Sequence, residues 1–183
     1  MTVSGPAKPA TKPTTTPASK PPGSPRVRRA RPTDWASART LLREIDELHA
    51  TIAPDYFRNS ARSEPDWLRL VDDPYAAVFV AELAPAAPEE RIVGVLVARV
   101  YDTPADPAMV PRRRGHIETL VVAARHRRRG IGRLLMAEST AWARAEGAIE
   151  IVLTTWAGNQ EAEAFYERLG YRLLSRVLHA RLD

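Results

Sequence analysis

The stretch His116-Ile117-Glu118-Thr119-Leu120-Val121-Val122-Ala123-Ala124-Arg125-His126-Arg127-Arg128-Arg129-Gly130-Ile131-Gly132 decides the reading of the chain. Its first seven residues are apolar and β-branched enough to form a buried strand. Four arginines and two glycines follow, and from Gly130 to Glu146 the pattern becomes helical, with Ile131, Leu134, Leu135, Ala141, Trp142 and Ala145 expected on one side. Gly147 stands where a C-terminal cap belongs. Ile149 to Thr155 returns as a strand, so residues 116–155 form one strand–helix–strand crossover, whose two strands must be parallel.

The turn inside that crossover has the chemistry of an anion site. A helix N-terminus presents free N–H groups and the positive end of the helix dipole. Gly130 and Gly132 allow close backbone approach, and the arginines add fork-shaped cationic donors. A basic, solvated loop at a helix start would carry the same residues. The dinucleotide fingerprint G-x-G-x-x-G is not met, because Leu135 stands at its third glycine, and no G-x-x-x-x-G-K-[ST] occurs.

Working outward, Arg26 to Ala30 reads as a first strand, and Pro32-Thr33-Asp34 as the start of a helix carrying Trp35, Ala38, Leu41, Leu42, Ile45 and Leu48. Pro54 interrupts it, and Trp67, Leu68, Leu70 and Val71 suggest a second helix. Val78–Ala81 and Ile92–Ala98 read as a hairpin joined by a Pro85–Glu90 turn. Residues 102–115, with three prolines and Gly115, read as a loop. Asn159 can cap a last helix that ends at Leu169-Gly170, and two short strands, Tyr171–Leu174 and Val177–Leu182, are expected after it. The order β-α-α-β-β-β-α-β-α-β-β predicts an α/β (α+β) domain with a mixed, mostly antiparallel sheet flanked by helices.

Composition sets further bounds. The 183 residues suit one domain over 26–183, preceded by a Pro/Ala/Thr/Lys-rich segment, residues 1–25, read as a disordered tail. The chain has no cysteine, which excludes disulfides, thiolate metal sites and an acyl-cysteine route. No apolar run is long enough for a membrane span or a secretory signal, so a cytoplasmic protein without a membrane partner is expected. The net charge of +5 owes +3 to Lys8, Lys12 and Lys20 in the tail. The rest is nearly balanced, so nucleic acid is not expected as a partner.

The motifs together resemble the GNAT superfamily of N-acetyltransferases. Its signature Q/R-x-x-G-x-G/A between a strand and a helix is matched by Arg127-Arg128-Arg129-Gly130-Ile131-Gly132. A second feature, an Asn opening the last helix, then Ala, Phe-Tyr and Leu-Gly-Tyr/Phe, is matched by Asn159, Ala162, Phe165-Tyr166 and Leu169-Gly170-Tyr171. The likeness spans residues 26–182 by element order and is strongest over 116–171.

The resemblance implies acetyl-CoA as co-substrate and no metal. It implies one parallel strand pair that splays to admit the pantetheine arm. The cofactor would be held by Leu120, Val121 and Val122, by Arg127, Arg128, Arg129, Gly130, Ile131, Gly132 and Arg133 at the pyrophosphate, and by Asn159 and Tyr166. Tyr166 matches the family's general acid, and the Leu120 N–H is offered to the reacting carbonyl. An alkyl ammonium must lose a proton before it attacks a thioester. Glu118 is the first candidate for that base, with His116 on the same strand face or a water as the alternatives. Glu118 would equally serve as a binding group for a cationic substrate.

The first helices and the 102–115 loop are expected to wall the acceptor pocket. Glu44, Asp46, Glu47, Asp55 and Asp102 are candidates to attract a cationic amine, or are ordinary surface charge. The acceptor, a small molecule or a protein amine, stays open, as does a homodimer. The other class of reading is a non-catalytic acyl-CoA-sensing module.

Overall fold

A computed structural model describes residues 24–58, 62–83 and 91–182. The tail read over residues 1–25 lies almost wholly outside them, as does the turn between Pro85 and Glu90. The elements in order are β1 (Arg26–Arg29), a short 3-10 turn (Pro32–Asp34), α1 (Trp35–Ile52), α2 (Glu64–Asp72), β2 (Ala76–Glu82), β3 (Ile92–Asp102), β4 (Arg113–Val122), α3 (Ile131–Ala145), β5 (Glu150–Leu153) and α4 (Gln160–Arg168). The five strands form one sheet in the order β1-β2-β3-β4-β5. All neighbours are antiparallel except β4 and β5, which are parallel, as the crossover requires.

Alternation along the strands feeds two cores. Val78, Val80, Val95, Val97 and Val121 pack with Ala38, Leu41, Leu42 and Ile45 of α1 and with Trp67 of α2. Ala77, Phe79, Leu96 and Ala98 face the other way, against Ile131, Leu135 and Met136 of α3. Strands buried on both faces explain why Val93-Gly94-Val95-Leu96-Val97 reads as a continuous apolar run. Trp67, 2% exposed, donates its indole N–H to the Arg31 carbonyl at 3.2 Å, which ties α2 to the end of β1.

Three expectations need correction. The buried stripe of α3 is Ile131, Leu135, Met136, Ser139 and Ala143, whereas Ala141 and Ala145 are exposed. A track repeating every four residues follows the helix against the sheet, and Ser139 can join it because its hydroxyl donates to the Met136 carbonyl at 3.0 Å. The loop expected over 102–115 is shorter. The β3–β4 ladder runs on to Asp102 opposite Arg113, and the Thr103 N–H donates to the Arg112 carbonyl beyond it.

The two strands expected after α4 do not form. Residues 171–182 have no regular secondary structure. A strand needs a ladder, and this segment instead reaches across to the end of α1. There Arg181 pairs with Asp55, and His179 meets the Tyr56 ring edge-on at 5.9 Å. Val177 and Leu178 are left 94% and 90% exposed, so the segment has no face to bury.

Candidate active site

The site grows from an incomplete ladder. β5 pairs with β4 only from Arg114 opposite Glu150 to Ile117 opposite Leu153. β4 continues to Val122, still paired with β3 on its other side. The edge from Glu118 to Val122 therefore has no strand beside it among the described residues. Beyond this edge lies a cavity of about 390 Å³, lined in part by His116, Glu118, Leu120, Asn159 and Tyr166.

Glu118 occupies a bulge. On β3, Val97 stands opposite Thr119 and Ala98 opposite Ile117, so Glu118 is the extra residue. The bulge shifts the alternation by one: Ile117 and Leu120, three positions apart, both join the α3 side of the sheet. His116 and Glu118 still line one cavity, but their relation is set by the bulge and not by simple alternation. Arg99 of β3 holds one Glu118 oxygen at 2.8 Å and also pairs with Asp73. His116 has the Tyr101 ring edge-on at 6.3 Å.

The arginine–glycine turn lies at the far end of β4. Gly130 is the N-cap of α3, with φ of 80°, and a Cβ built there would meet no atom within 4 Å. Arg128 is also left-handed, with φ of 63°, a conformation that costs a non-glycine residue about 1–2 kcal/mol. Left-handed and helical residues in succession turn several N–H groups toward one point. The N–H of Leu134 donates back to the Gly130 carbonyl, which leaves those of Ile131, Gly132 and Arg133 at the mouth of the helix. These donors, the open space at Gly130 and the unpaired β4 edge fit a long thioester with a pyrophosphate at one end.

Two residues of the turn have structural tasks. Arg127 donates to the Val122 carbonyl at 3.1 Å and lies 3.8 Å from Glu161 of α4, tying β4 to the last helix. Gly132 faces Phe165: a Cβ there would sit 3.1 Å from the ring. Its lack of a side chain thus serves the α3–α4 contact. The side chains of Arg128, Arg129 and Arg133 are exposed.

Asn159 caps α4, its side-chain oxygen accepting from the Ala162 N–H at 3.2 Å. Tyr166 lies between the rings of Phe165 and Tyr171, at 5.1 and 5.7 Å. Burial, with the nearby Tyr171, pushes its phenol up to about 12, so it stays protonated at any physiological pH.

The far wall comes from α1 and the segment after it, through Ile45, Asp46, His49, Phe57, Arg58 and Arg62. No residue of 102–115 reaches the cavity, contrary to expectation, because the β3–β4 ladder carries that hairpin to the opposite end of β4. Of the five acids considered for a cationic substrate, only Asp46 lines the cavity, and Arg62 grips it with two hydrogen bonds of 2.8 and 2.6 Å. Glu47, Asp55 and Asp102 pair with Arg43, Arg181 and Arg113. His49 and Phe57 stack at 4.7 Å, and Trp156 closes on Phe57 edge-on at 4.8 Å. Burial pushes the His49 imidazolium below its usual range, against the pull of Asp46, so the ring is neutral at pH 7. His49 is a proton acceptor that the sequence reading missed, since helical periodicity places it but does not show what it faces.

A sequence profile of the acetyltransferase (GNAT) family matches residues 40–171. The chain belongs to this family. Among solved structures, the GNAT chain is similar to the Bacillus halodurans protein BH1408, at 26% identity and a TM-score of 0.78, over 86% of this chain and 99% of that one. An acetyltransferase from Trypanosoma brucei matches at 22% identity and a TM-score of 0.63, over 87% and 100%. An aminoglycoside N-acetyltransferase solved with CoA matches at 17% identity and a TM-score of 0.63, over 86% and 99%. A search of curated proteins by sequence finds no match. Among the described residues, no group of three or more His, Asp or Glu is placed to hold a metal ion, and no helix is long and apolar enough to cross a membrane.

Proposed function

We propose that this GNAT chain transfers an acetyl group from acetyl-CoA directly to a primary amine, within a ternary complex. One observation carries the reading: β4 continues from Glu118 to Val122 past the end of β5, and this open edge borders the cavity that Glu118, Asn159 and Tyr166 line. A pantetheine arm has amide groups that can pair with such an edge as an added strand would. Leu120, Val121 and Val122 would hold it, and the turn from Arg127 to Arg133 would hold the pyrophosphate. The relative solved with CoA supports the choice of donor.

The reaction forms a C–N bond and breaks a C–S bond. The amine proton has three candidate acceptors, Glu118, His116 and His49, or a water held between them. Glu118 keeps one carboxylate oxygen beyond the 2.8 Å contact with Arg99 for this task. Tyr166 would give its proton to the departing thiolate, and the Leu120 N–H would stabilise the oxygen as the carbonyl is attacked. The lack of cysteine in the chain agrees with transfer without an acyl-cysteine.

Initial rates measured while both substrates are varied test direct transfer. Double-reciprocal lines that intersect support it. Parallel lines, with an acetylated protein by mass spectrometry, oppose it.

A further inference from the structure

The acceptor half of the cavity has an uneven charge balance. The two carboxylates that line it among the described residues are already neutralised by guanidinium groups. Asp46, 7% exposed, is held by both ends of the Arg62 fork, and Glu118 is held by Arg99. Arg58 lines the same cavity, is exposed, and makes no ion pair among the described residues. Next to it, the rings of His49, Phe57, Trp156 and Tyr56 touch in series at 4.7 to 5.1 Å, forming an apolar collar. The His49 ring adds no positive charge to this collar at pH 7, since burial keeps it neutral.

We infer that the acceptor is a small amine that carries a carboxylate, with its nitrogen at Glu118, its apolar body along the Phe57–Trp156 collar and its carboxylate on Arg58. The inference rests on the acetyl-transfer reading above and specifies its second substrate. A polyamine or an aminoglycoside would bring several cations to a wall whose acids are taken and whose unpaired group is a guanidinium. Like charges of that kind disfavour the wrong partner. A carboxylate gives Arg58 a bidentate partner, in the geometry guanidinium recognises best. The cavity also has to hold the end of the donor, so about 390 Å³ leaves room for a compact acceptor only.

The test compares matched amines in a thiol-release assay on the full chain with acetyl-CoA: aminohexanoate against hexylamine and diaminohexane, phenylalanine against phenylethylamine, and spermidine. The expected result is a kcat/KM for each carboxylated amine about tenfold or more above its counterparts, the size of a charge-assisted hydrogen bond. Arg58→Gln should erase that advantage, with the melting temperature showing that the variant is folded. Preference for diaminohexane or spermidine, or an advantage that survives Arg58→Gln, would overturn the inference and leave acetyl transfer standing. Thiol release with none of these amines would overturn both.

Discussion

The Arg99 guanidinium lies 2.8 Å from a carboxylate oxygen of Glu118, at the position where β4 carries one residue more than β3. The bulge takes Glu118 out of the regular ladder, and the ion pair fixes where its side chain stands. Arg99 is itself secured by Asp73 at the end of α2. The candidate base is thus oriented from two neighbouring elements.

Glu118→Gln should lower kcat by about 10²-fold at neutral pH, the lower end of what a general base contributes. Part of the loss should return at alkaline pH, where the amine sheds its proton unaided. A pH–rate profile checks this. A wild-type profile in Glu118→Gln, with a large loss in His49→Gln, would assign the proton to His49.

Tyr166→Phe should keep the acetyl-CoA dissociation constant and reduce kcat by about 10²-fold. The loss should shrink for donors with a more acidic leaving thiol. Burial holds the Tyr166 phenol up near 12, so the wild-type rate should show no alkaline decline from this group below about pH 11. Equal losses for all leaving groups would make Tyr166 a positioning residue.

Gly130 and Gly132 should fail differently when changed to alanine. Gly130→Ala forces a left-handed residue into open space and should cost about 1 kcal/mol of stability through the backbone alone. Gly132→Ala presses a methyl group toward Phe165, whose ring would lie 3.1 Å away. Its effect should be relieved in a Phe165→Leu background, whereas that of Gly130→Ala should not. Melting curves on the three single variants, the two doubles with Phe165→Leu and the wild type give the coupling.

The stretch that decided the fold was legible because its signals are local. A change of period marks where β4 gives way to α3, and glycines stand at the two φ-positive ends of that helix, Gly130 and Gly147. The Asn159 cap was legible for the same reason. What the sequence hid depends on partners. A bulge at Glu118 exists only relative to β3. The Phe57–Trp156 collar joins residues from distant parts of the chain. Val177 to Leu182 is apolar enough to read as a strand, yet composition supplies no neighbour to pair with.

The Asp34 carboxylate accepts from Arg28 at 2.7 and 2.9 Å and from the Arg31 N–H at 2.7 Å. Burial alone would raise its pKa, but the Arg28 hydrogen bonds, the Arg31 N–H and their charges outweigh burial and hold it below its ordinary value. A carboxylate depressed in the fold stabilises fully above its unfolded pKa, near 4, and loses that contribution as pH falls through the folded value. The melting temperature should therefore be steady above about pH 5 and fall below about pH 4. Asp34→Asn should cost about 3 kcal/mol at neutral pH, as expected for a buried pair stripped of one partner, and should flatten part of the acid decline. An unchanged acid decline in that variant would place its origin elsewhere.

The most direct measurement is a time course of free thiol from acetyl-CoA with the full chain and a panel of amines, alongside the mass of the acceptor. Direct acetyl transfer predicts thiol release matched mole for mole by acetylated amine, and dependent on both substrates. Acetyl-CoA that binds tightly yet yields neither thiol nor acetylated amine would contradict it, and would make the chain an acyl-CoA-sensing module.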